Sequence, residues 1–124
     1  MPRYLFTAIV SVLIIIAVLI PGSNIPAVNI VGFDKFVHLG MFATWAVAVR
    51  YDLHPKFNRL YLIVLAGLFF SLLTEVLQIQ VEGRTFDIYD MVADTAGLLA
   101  GLLVSNKILA LMNKLKFTKR EKGR

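Results

Sequence analysis

The sequence predicts an all-α protein, a small bundle of four transmembrane helices with both termini in the cytoplasm and an amphipathic, basic C-terminal tail. Three observations predict it. Hydrophobic residues make up 58% of 124, too much apolar surface for a soluble domain of this size to hide. Four apolar runs are separated by short polar stretches. The cations are unevenly placed: of thirteen Lys and Arg, seven lie between Lys107 and Arg124. The net charge of +5 is therefore a tail rather than a nucleic-acid groove, and no nucleic-acid partner is expected. Without cysteine, disulfides and thiolate metal sites are excluded.

The first run, Tyr4 to Ile20, carries no charge and ends at Pro21-Gly22. Its seventeen residues just span a hydrocarbon core of roughly 30 Å. It is long for the apolar region of a signal peptide, and no A-x-A-like cleavage site follows in "PGSNIPAVN", so a retained helix is expected. The second run, Leu39 to Val49, follows the polar turn of Asp34, Lys35 and His38 and stops before a loop marked by Pro55. The third is Leu60 to Gln78, with Glu75 near its end. The fourth starts near Asp87 and runs through Val104, thinning into "KILALMNKLK", a stretch suited to the membrane surface. Residues 1–112 are read as the transmembrane domain and 113–124 as a basic cytoplasmic tail.

Orientation follows from the loops. With both ends inside, eleven of the thirteen cations are cytoplasmic and only Lys35 and Arg84 lie outside. The acids sort the other way. Asp34, Glu75, Glu82, Asp87, Asp90 and Asp94 fall on the outer side, leaving Asp52 and Glu121 inside.

Depth follows from the helical rise. If the outer boundary is near Val81 and Asp87, Glu75 lies about 9 Å down, Asp94 about 10 Å and His38 roughly 6 Å. Three ionisable groups from three helices at comparable depth are what a shared polar pocket would produce. Within helices the spacings agree: Asp34 and His38 are i, i+4; Glu75 and Gln78 are i, i+3; Asp87, Asp90 and Asp94 form one stripe. Capping accounts for Asp87, with Asp90 three residues on, and for Asp34. It does not account for Glu75, which meets an unfavourable dipole, or Asp94, two turns inside its helix. His54 and Glu82 receive no role. Ala93, Gly97 and Gly101 at i, i+4, i+8 let a neighbouring backbone approach, either helix 2 or 3 or a second copy in a homo-oligomer.

These residues resemble the VanZ-like family. Its motif D-K-x-x-H is matched by "DKFVH" at Asp34, Lys35 and His38, and S-x-x-x-E-x-x-Q by "SLLTEVLQ" at Ser71, Glu75 and Gln78. The third, G-R-x-x-D-x-x-D-x-x-x-N-x-x-G, is matched by "GRTFDIYDMVADTAG" at Gly83, Arg84, Asp87, Asp90 and Gly97. Asp94 stands where the family commonly has Asn. The family's founding protein is associated with reduced susceptibility to the glycopeptide teicoplanin, and other members occur near envelope or exopolysaccharide genes. The resemblance implies an envelope protein of the bacterial cytoplasmic (inner) membrane, multi-pass, in contact with membrane lipids.

The expected function is recognition of a lipid-linked, peptidoglycan-derived or glycopeptide-like ligand by Asp34, Lys35, His38, Glu75, Gln78, Arg84, Asp87, Asp90 and Asp94. The alternatives are a small membrane enzyme, with Glu75, His38 and Asp94 as catalytic candidates for acid–base chemistry, and a non-catalytic assembly subunit of an envelope or polysaccharide system. Ion transport is weakened because the inner halves of the helices carry no charges to continue a path. A metal variant of the enzyme, with His38 and carboxylates as nitrogen and oxygen ligands, ranks below the enzyme itself. No cofactor and no metal are expected, and there is no nucleotide loop, nucleophile elbow or zincin motif.

Overall fold

The computed structural model describes residues 3–21, 32–53 and 58–124. Gly22, most of the stretch examined for a cleavage site, and the loop with His54 and Pro55 lie outside the described residues. The described chain forms four helices and, among the described residues, no strand: α1 (Leu5–Val18), α2 (Phe33–Asp52), α3 (Leu60–Ile79) and α4 (Ile88–Lys122).

The third run forms a helix almost as read, one residue longer. The first is shorter: fourteen residues rise about 21 Å. Its first turn is capped from another helix, because Asp52 Oδ2 at the end of α2 accepts the Thr7 amide at 2.7 Å and hydroxyl at 2.8 Å. The fourth is longer, one unbroken helix of 35 residues through the amphipathic stretch and the basic tail. A change from apolar to amphipathic patterning does not end a helix, and neither Gly nor Pro occurs between Gly101 and Gly123. Two helices, α3 and α4, are long and apolar enough to cross a membrane.

Burial is inverted relative to a soluble bundle. On α3 the buried face is Ile63, Gly67, Ser71, Thr74, Glu75 and Gln78, while Phe69, Leu72, Leu73 and Val76 are exposed. On α4 the buried face begins with Asp90 and Asp94, while Val92, Leu99 and Leu103 are exposed. Apolar side chains outside and polar ones inside are the arrangement that lipid as solvent selects. The apolar core sits deeper, where Ile14, Val18, Phe42, Trp45, Ile63, Leu98 and Leu102 meet, with Phe70 packed on Phe42 at 5.6 Å and Trp45 at 5.7 Å between ring centres.

The most extensive packing is α2 on α4, with α3 and α1 attached more lightly. The reason is local. A Cβ placed on Gly97 would run into the Leu39 carbonyl, and one on Gly101 into the Ala43 carbonyl. Of the open alternatives for the small-residue stripe, α2 is thus what Gly97 and Gly101 face, and Ala93 lies half-buried toward the α3–α4 loop. Gly97→Ala and Gly101→Ala are each expected to lower stability by roughly 1–3 kcal/mol through overpacking. Gly40→Ala, with nothing within 4 Å of the added carbon, should be neutral or slightly stabilising in the same detergent melt.

Candidate functional site

At the end of the bundle nearest the α3–α4 loop, the first turn of α2, the last turns of α3 and the start of α4 bring the ionisable residues together. Gly83 turns the loop with a positive φ of 76°, and the Arg84 amide closes it on the Val81 carbonyl at 3.1 Å. Asp87 then caps α4, its Oδ1 accepting the Tyr89 amide at 2.9 Å.

Two centres result. In the first, Lys35 Nζ lies 2.7 Å from Asp34 Oδ2, 2.5 Å from Asp87 Oδ2 and 2.6 Å from Asp90 Oδ1. One ammonium from α2 thus ties together its neighbour and the first turn of α4. The Lys35 ammonium and the Tyr89 amide hold the Asp87 carboxyl below the usual carboxylate range. This centre is at the rim, with Asp34 exposed and Lys35 and Asp87 about one-third exposed.

The second centre is buried. Asp94, fully enclosed, is hydrogen-bonded through one oxygen to His38 Nδ1 at 2.8 Å and accepts the Ser71 hydroxyl at 2.6 Å on the other. Glu75, equally enclosed, accepts the Asp87 amide at 3.1 Å through Oε2, while its Oε1 has no hydrogen-bond partner among the described residues. His38 Nε2 lies 3.5 Å from Asp90 Oδ2, so His38 stands between the centres. One ligand atom each from His38, Glu75 and Asp94 fall within 4.8 Å of one another.

The geometry constrains the chemistry. Ser71 donates to Asp94 and not to His38, so these three residues are not the relay that activates a serine nucleophile, in which histidine stands between the other two. Capping explains one oxygen of Asp87, as its sequence position suggests, while the other is held by Lys35. Gln78 is buried beside this centre, and Arg84, whose Nε donates to the Ile20 carbonyl at 3.4 Å, closes one side. Asp34, His38, Gln78 and Arg84 line a cavity of about 110 Å³ with Ala17, Val18, Phe33, Val37 and Met41. At ~30 Å³ per water this admits three or four waters or one small polar group, not an enclosed drug-sized ligand. A larger, mostly apolar groove of about 220 Å³ near Arg50 and Met112 lies toward the other end and holds no carboxylate.

All nine candidate binding residues therefore lie at one end of the bundle. Ser71 was not among them, though its position four residues before Glu75, on the same face, is a signal that could have found it.

Two outcomes test this arrangement. Lys35→Met should destabilise the protein on the order of 1–2 kcal/mol at neutral pH, allowing for screening at the rim. A carboxyl held low, as Asp87 is, stabilises the fold while its unfolded counterpart is ionised and stops doing so as pH falls through its folded value. The gap between wild type and variant should accordingly narrow below about pH 4, as read by melts across pH. Asp94→Asn should keep the fold. Its carbonyl can accept from His38, and its NH₂ can donate to Ser71, whose hydroxyl also accepts. Asp94→Leu offers neither and should cost about 2 kcal/mol or more in the same melt.

A family model described as VanZ/LLP1 matches residues 4–111, and no curated protein or solved structure matches the chain. That match covers all but the N-terminal three residues and the basic end of α4, and includes every residue of both centres. The chain belongs to the VanZ/LLP1 family, whose members' association with the cell envelope accords with its two membrane-length apolar helices.

Proposed function

We propose that the chain is a multi-pass protein of the bacterial cytoplasmic membrane, with four spans and both termini inside. The two-centre cluster then opens to the outer face and binds the polar part of a lipid-linked, peptidoglycan-derived or glycopeptide-like ligand. Counted along the sequence, this orientation leaves eleven of the thirteen Lys and Arg in inner segments and six of the eight acids in outer ones, which supports it.

The observation that carries the binding reading is Glu75. A cluster that served only to hold helices together would satisfy each buried member, because an unpaired buried acceptor is destabilising by about 1–3 kcal/mol. Glu75 is fully enclosed, sits where the helix dipole is unfavourable, and keeps Oε1 without a partner. An acceptor of that kind suits a hydroxyl, an amide N–H or a cation. The excess of acids over cations disfavours a bare phosphate, and the small cavity suits the edge of a sugar or peptide group rather than a whole headgroup.

The native chain has no cysteine, so single cysteines report topology directly. Glu82→Cys is expected to react with a membrane-impermeant maleimide in intact cells, and Lys122→Cys only after permeabilisation. In a teicoplanin-sensitive Gram-positive host, expression of the wild type is expected to reduce susceptibility, and Glu75→Gln, at equal membrane abundance, to abolish that effect. Equal protection by both proteins would remove Glu75 from the site. No protection by either would exclude the glycopeptide as ligand.

A further inference from the structure

We propose that His38, Glu75 and Asp94 form a binding site for one divalent transition-metal ion. The inference deepens the reading of this cluster as a ligand site and rests on it.

Four observations converge. Donor atoms of the three residues, from three different helices and all buried, lie within 4.8 Å of one another. Among the described residues Glu75 Oε1 has no hydrogen-bond partner, although the residue is wholly enclosed. The neighbouring triad of Asp34, Asp87 and Asp90 already holds a cation, the Lys35 ammonium at 2.5–2.7 Å from each. Among the described residues, the buried centre has only His38 to balance Glu75 and Asp94. Finally, Asp94 puts a second enclosed carboxylate beside Glu75.

The donors are also oriented in advance. Asp94 Oδ2 accepts from Ser71, and Glu75 Oε2 from the Asp87 amide. His38 Nε2 faces Asp90 Oδ2 at 3.5 Å. Hydrogen-bonded carboxylates and a carboxylate facing the far ring nitrogen are the supports that fix metal ligands in place. His38 Nδ1 and Asp94 Oδ1 are 2.8 Å apart. Two neighbouring ligands on one ion, at bonds of about 2.1 Å, stand about 3 Å apart. On binding, the proton held between Nδ1 and Asp94 Oδ1 leaves to solvent, the ring keeps its other proton on Nε2 facing Asp90 Oδ2, and one hydrogen bond is replaced by two bonds to the shared ion. One imidazole nitrogen with two carboxylates suits Zn²⁺ or Mn²⁺, and the nitrogen disfavours Mg²⁺ and Ca²⁺. The absence of a zincin spacing is no obstacle, since each donor comes from a different helix.

The test uses the full chain, purified in detergent and stripped with a chelator. Titration with Zn²⁺ and with Mn²⁺ alone, followed calorimetrically and by elemental analysis, is expected to give one ion per chain. Binding should weaken at least about tenfold in Glu75→Gln and Asp94→Asn and stay unchanged in Glu82→Gln. Pulsed electron paramagnetic resonance of the Mn²⁺-loaded wild type should show coupling to an imidazole nitrogen. This readout needs no variant to fold. Less than stoichiometric binding by the wild type, a bound ion without nitrogen coupling, or folded Glu75→Gln and Asp94→Asn binding as tightly as the wild type would each overturn the proposal. Because metal binding is measured on purified protein, it can fail while the labelling and susceptibility results stand, and the reverse also holds.

Discussion

The close approach of α4 to α2 sets the position of almost everything else. At Gly97 and Gly101 there is no room for even one carbon between α4 and the carbonyls of Leu39 and Ala43. Lipid offers no hydrophobic force to press helices together, so close packing and polar contacts must do it. The same contact decides the chemistry. With α2 and α4 locked in that register, His38 meets Asp94 one turn from Gly97, and Lys35 meets Asp90 and Asp87 one turn further out. A helix spacing set by bulkier residues would carry these pairs out of hydrogen-bonding range.

The polar groups then divide by their solvation. The rim centre is close to solvent and carries a fixed cation, so its three carboxylates are compensated in place. The buried centre has lost its water and its charges are balanced only in part. Replacing such a network by apolar side chains is often neutral or stabilising, so a stability argument does not account for it. Among the described residues Glu75 Oε1 is left without a hydrogen-bond partner, which is the observation that the proposed ligand reading rests on.

Much of this could be read from residues alone because it depends on depth and periodicity. The helical rise placed His38, Glu75 and Asp94 at one level, and the structure brings donor atoms of all three within 4.8 Å. Spacing along single helices also identified the small-residue stripe. What could not be read depends on pairing between helices. That Lys35 bridges to α4, that Asp52 caps α1 and that Ser71 serves Asp94 are contacts separated by 52–55, 45 and 23 residues, which no local pattern encodes. The apolar run of α4 also ends well before the helix that contains it. Its change of character after Val104 is a change of environment, and Lys, Leu, Ala and Met favour a helix on either side of it.

The residue at position 94 joins these strands of argument. An asparagine at that position would accept from a histidine ring and also satisfy a serine hydroxyl, both without charge. Aspartate does the same by accepting twice, because Ser71 can rotate its proton toward it. The fold is therefore indifferent to the exchange, while the electrostatics are not: a second enclosed carboxylate now shares a site with Glu75. Two ionised carboxylates so close together repel, and the repulsion falls only if one is protonated or a cation lies between them. His38 supplies at most one positive charge and is shared with Asp90. A carboxylate where packing would tolerate an amide thus raises the demand for a cation in the buried centre.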